Sequence, residues 1–86
     1  MTDKQALFFQ ELKIIQEQAV NMNIHQSDLT KEELLFNVSY DTLVLMMELL
    51  DGYRNMNLEL SDKESKEVLN ENIQLHDGLI DFLKSF

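Results

Sequence analysis

Few side chains in this chain are of a type that does chemistry, and their spacing decides most of what they can do. There are two histidines, no cysteines, and sixteen Asp and Glu residues among eighty-six. His76 is the better placed histidine. With Asp77 beside it and Asn72 one helical turn earlier, it could serve a metal or move a proton. A helical metal pair, however, needs ligands three or four residues apart on one face, whereas Glu71 and His76 are five apart and no Glu-x-x-His occurs. His76 is therefore expected at the boundary of the core with one hydrogen bond. His25, in a polar stretch, is expected to be solvated.

The carboxylates are scattered. Glu32 and Glu33 suit the first turn of a helix, where the macrodipole favours negative charge. Asp62, Glu64, Glu67 and Glu71 alternate with Lys63 and Lys66, as on an ordinary solvated face. No serine, histidine and acid fall into a nucleophile pattern, and no glycine-rich loop exists to cradle phosphate. The expectation is a protein that is not an enzyme and that has no cofactor and no metal site.

Charge and length narrow the partners. Seven Lys and Arg against sixteen Asp and Glu give a net charge of −9, which repels phosphate backbones and anionic membranes. Direct nucleic-acid binding is not expected. The opening Met1–Gln5 lacks a basic, then apolar, export signal, and the run Leu43–Leu50 contains Glu48 and is far shorter than the ~20 residues that span a bilayer. A cytoplasmic location follows as the expectation. Asn37-Val38-Ser39 matches a glycosylation sequon and is read as chance. Eighty-six residues suit one helical domain, 1–86, with 44% hydrophobic residues to form its core.

The elements that must position these residues are mostly helical, because the chain has no proline and only two glycines. Thr2 and Gln5 form a capping box, and Phe8, Leu12, Ile15, Ala19 and Met22 then give a narrow seam at spacings of four and three. Phe9, Ile14 and Val20 lie off that seam. The helix should stop near Asn21–Asn23, where asparagine can take a left-handed conformation. Thr30 and Glu33 form a second capping box, flanked by Leu29 and Leu34 as a hydrophobic staple.

The helix that follows is unusual. Between Leu34 and Tyr53 the polar residues Asn37, Asp41, Glu48 and Asp51 share one wedge at about 100° per residue. Leucine, methionine, valine and aromatic side chains fill the rest of the circle. A helix apolar over most of its circumference is expected to be enclosed, with only the wedge left to water. Its end falls at Asp51-Gly52, or beyond Gly52 at Asn55 or Asn57, and Ser39–Asp41 could break it.

Residues 58–69 fit a short β-hairpin or an extra helical turn equally well. Leu58-Glu59-Leu60 alternates and Asp62–Lys66 resembles a hairpin tip, while Ser61 and Glu64 could cap a helix and Lys66 is a poor left-handed residue. The last helix, from Ile73, has apolar and polar halves, and Asn72 is read as its N-cap. Gly78 within it suggests close approach of a neighbouring helix.

The expected fold is thus mainly α: a small three-helix bundle with helices at about 3–22, 31–54 and 72–85. The expected function is a non-catalytic protein-interaction module. It would self-associate as a homodimer, or bind another protein, through Leu43, Met46, Met47, Leu50 and Tyr53 of the apolar central helix. The alternative is an acidic inhibitor or nucleic-acid mimic that binds a basic protein, motivated by the net charge.

Overall fold

The computed structural model describes residues 1–84; Ser85 and Phe86, placed by their pattern in the last helix, lie outside the described residues. The architecture is mainly α, as expected, with helices α1 (Asp3–Asn23), α2 (Lys31–Leu50) and α3 (Leu75–Lys84). The chain divides into two compact units, Met1–Leu45 and Met46–Phe86, and the division falls inside α2.

In the first unit, the Thr2–Gln5 capping box forms in full, and Thr30 caps α2 without the reciprocal bond from its own backbone N–H to Glu33. The Thr2 hydroxyl accepts from Gln5 N–H at 3.1 Å while Thr2 N–H donates to Gln5 Oε1 at 2.7 Å. At α2 the Thr30 hydroxyl accepts from Glu33 N–H at 3.1 Å and donates to Glu33 Oε1 at 3.0 Å. The seam of α1 is rotated from the one expected. Glu11, Ile15, Ala19 and Asn23 are the buried residues, a strict spacing of four, and Met22 is exposed. The cause is polar: Asn23 Nδ2 donates to Ala19 O and to Asp41 Oδ2, both at 2.8 Å. That pair draws Asn23 inward and carries Met22 out. Asn23 accordingly stays helical, and the helix ends at Ile24 with right-handed dihedrals instead of a left-handed asparagine.

Helix α2 runs unbroken through Ser39. The Ser39 hydroxyl donates back to Phe36 O at 2.8 Å and Thr42 to Val38 O at 2.7 Å, so neither recaps the chain.

The second unit begins with the end of α2, which comes at Leu50 and not at 54. Gly52 has φ +88°. Its N–H donates to Leu49 O at 3.2 Å, and Tyr53 N–H donates to Glu48 O at 3.1 Å. These two bonds make a Schellman cap, which needs a left-handed residue after the last turn.

Residues 58–69 form the hairpin alternative, reduced to one antiparallel bridge, Ser61 to Val68. Leu69 N–H donates to Leu60 O and Asp62 N–H to Glu67 O. Between them Lys66 takes φ +66° after all, because the Asp62 carboxylate accepts from Ser65 N–H at 2.7 Å and Asp62 O from Lys66 N–H at 2.8 Å. Those bonds fix a tight turn whose last residue must be left-handed.

Two readings of the last helix are corrected. Asn72 is not its N-cap; it has φ +63°, and the helix starts at Leu75. Gly78 does not mark a close helix, for among the described residues an added Cβ would meet only Ile73 Cδ1, at an ordinary 3.5 Å. Gly78→Ala should therefore stabilise the fold by about 0.5–1 kcal/mol through helix propensity, seen as a raised urea midpoint.

Candidate interaction surface

The four polar residues of the α2 wedge are not left to water: none of Asn37, Asp41, Glu48 or Asp51 is exposed. Asp41 accepts from Asn23 in the first unit. Asp51 does more in the second. Its carboxylate accepts from the N–H groups of Leu75 at 2.7 Å and His76 at 2.9 Å, the first two residues of α3. Its Oδ2 also lies 2.6 Å from His76 Nδ1. One carboxylate at the end of α2 thus caps the start of α3.

His76 is well enclosed, its side chain 15% exposed against 0% for Asp51. Its Nε2 is 3.4 Å from Asp77 Oδ1. The Tyr53 ring lies edge-on to the imidazole with centroids 5.0 Å apart, and the Tyr53 hydroxyl donates to Gln74 Oε1 at 2.7 Å. The hydrogen bond to Asp51 raises the His76 pKa above its ordinary 6.5; partial desolvation opposes this, and the charges of Asp77, Asp51 and Glu48 add to it. For Asp51, burial works to raise the pKa. The bonds from His76 N–H, the His76 ring and Leu75 N–H, with the imidazolium charge, outweigh it and hold the carboxyl below 3.8. Chemically this is an oriented acid–histidine pair serving a helix terminus. Among the described residues no three His, Asp or Glu side chains gather as a metal ion would require.

With Asp41 bonded to Asn23, part of the apolar side of α2 in the first unit faces outward. Leu35 is 61% exposed, Phe36 67% and Leu43 44%. The expectation of an enclosed helix is therefore corrected for the first unit. Phe36 stacks on Tyr40, centroids 6.5 Å apart at 19°. Beside this face, Val20 and Ile24 join Leu34, Leu35 and Val38 around an apolar groove of about 450 Å³.

The residues named from sequence divide. Leu43 and Tyr53 are exposed, whereas Met46, Met47 and Leu50 are half-buried. Tyr53 is tied to Gln74 and His76, which gives its ring a part in the fold of the second unit. Leu35, Phe36 and Ile24 are not among the residues that the sequence singles out, whereas Val20 is, as lying off the α1 seam. The signal for the first two was their place on the helix wheel away from the polar wedge, once that wedge is recognised as the inner side.

No family model, curated protein or solved structure matches the chain.

Proposed function

We propose that this protein is a non-catalytic interaction module that pairs with a second copy of itself through the outward apolar face of α2. The observation that carries this reading is the exposure of Leu35, Phe36 and Leu43 on one side of a helix whose Asp41 is bonded within the unit. Exposed apolar groups scattered singly are common, but three on one helix face beside an apolar groove form a patch of the kind that marks interfaces. A two-fold contact places the same patch on both partners. It requires a surface with both a projection and a hollow, which Phe36 and the neighbouring groove supply within one unit. Glu32 and Glu33 border Phe36 at the start of α2, so repulsion between two copies of a chain of charge −9 weakens the contact least at moderate salt.

Phe36→Glu and Leu43→Glu test the reading directly, because both side chains are exposed and their replacement leaves the core intact. Each should weaken self-association by about tenfold or more, the loss of roughly 1.4 kcal/mol or more of apolar burial, with an unchanged helical circular-dichroism spectrum. Sedimentation that moves neither variant from the wild-type mass would remove the face from the contact. Wild-type protein that is monomeric, and retained instead by a basic protein surface, would favour the acidic-inhibitor alternative.

A further inference from the structure

We propose that the Asp51–His76 contact is a pH-sensitive latch, in which protonated His76 holds the start of α3 to the end of α2 and its deprotonation loosens that hold. The geometry provides the two parts a latch needs. The first is the carboxylate cap on Leu75 and His76 N–H, which joins residues 24 and 25 positions apart in the chain. The second is the imidazole on the same oxygen at 2.6 Å.

Asp51 stands at a place of conflicting polarity. Its charge suits the N-terminus of α3, where backbone N–H groups converge, but it also lies one residue beyond Leu50, at the negative end of the α2 macrodipole. Glu48, in the last turn of α2, adds a second negative charge there, and Asp77 in the first turn of α3 adds a third. Those three carboxylates are the charged groups acting on His76, and Tyr53 covers its ring. Protonated, His76 sets a positive charge against the enclosed Asp51 carboxylate. Neutral, its ring N–H can still bond Asp51, but the attraction between the two charges is lost.

The direction follows from linkage. His76 binds its proton more tightly folded than unfolded, so its contribution is complete below about 6.5 and is lost as pH rises through the raised folded value. Asp51 is shifted down, so its contribution is present above 3.8 and is lost as pH falls through the lowered value. The latch is tightest between those limits and opens on the alkaline side of 6.5.

Urea unfolding between about pH 6 and about pH 9 tests this on the wild type, on His76→Gln and on His25→Gln. General repulsion in an acidic chain lowers stability with pH in all three, so the comparison is of slopes. His25→Gln should keep the wild-type slope and His76→Gln should show a shallower one. An unchanged slope in His76→Gln would overturn the latch. Nuclear magnetic resonance titration of the wild-type His76 ring decides the matter even where that variant fails to fold. A midpoint above 6.5, moving together with the Leu75 amide signal, is expected; a midpoint at or below 6.5 would overturn the proposal.

Discussion

Replacing Asp51 by alanine should cost about 2–3 kcal/mol of stability, a drop of roughly 10–20 °C in Tm for a chain of this size. The loss is large because Asp51 is the acceptor for both leading N–H groups of α3. The residue before its first turn is Gln74, a poor capping type, and its Oε1 already accepts from Tyr53. Without Asp51 the N–H groups of Leu75 and His76 lose their acceptor, and the His76 ring loses its nearest anion. A ten-residue helix has little stability of its own with which to resist. Asp51→Asn should fall between, since one oxygen can still accept but the charge is gone. The check is urea unfolding followed by circular dichroism, with the His76 titration measured alongside. The account requires the His76 midpoint to move back toward its ordinary value in Asp51→Ala; loss of stability with no such movement would separate the cap from the imidazole contact.

Asn70 is the second position where one side chain joins several backbone segments. Its Nδ2 donates to Leu50 O at 2.8 Å and to Leu58 O at 2.6 Å, and its Oδ1 accepts from Leu60 N–H at 2.9 Å. Leu50 O is one of the carbonyls that the end of a helix leaves without a partner. The side chain therefore fastens the end of α2 to the segment leading into the hairpin. Asn70→Ala should cost about 2 kcal/mol, since water can reach part of this half-buried site and recover some of the three bonds. Asn70→Asp should be worse than alanine, because it keeps the acceptor for Leu60 but sets a negative charge against two carbonyl oxygens. That order, asparagine above alanine above aspartate, separates hydrogen-bond loss from simple loss of volume. Aspartate tolerated as well as asparagine would contradict the assigned bonds.

What was legible in the sequence, and what was not, divides along the range of the interactions. Thr2 with Gln5 and Thr30 with Glu33 act within four residues, and the starts of α1 and α2 follow from them directly. Gly52 after Leu50 was one of the stated ends of α2, and it is the one the Schellman bonds select. Two of the failures involve a polar side chain recruited from far along the chain. Asn23 was expected to end α1 in a left-handed turn, yet Asp41, eighteen residues on, draws it into the core and rotates the buried seam. Asn72 looked like a cap because an asparagine in an apolar half-turn is usually one. The actual cap is Asp51, which no local spacing connects to Leu75.

The same cause explains the most consequential error, over the central helix. Polar residues on one wedge of an apolar helix ordinarily mark the solvated side. Here Asp41 and Asp51 each find a partner inside their own unit; in the first unit Leu35, Phe36 and Leu43 are left outside, while in the second the apolar Leu49 is buried. The candidate site shifts with it. Leu43 remains, Leu35 and Phe36 join it, and Met46, Met47 and Leu50 are only half available.

The most direct test of this account is the mass of the wild-type protein in solution, measured by sedimentation equilibrium from low micromolar to near-millimolar concentration at moderate salt. The account predicts a reversible rise from one copy of the 10.1 kDa chain to two, abolished by Phe36→Glu. A single 10.1 kDa species across the whole range would contradict it.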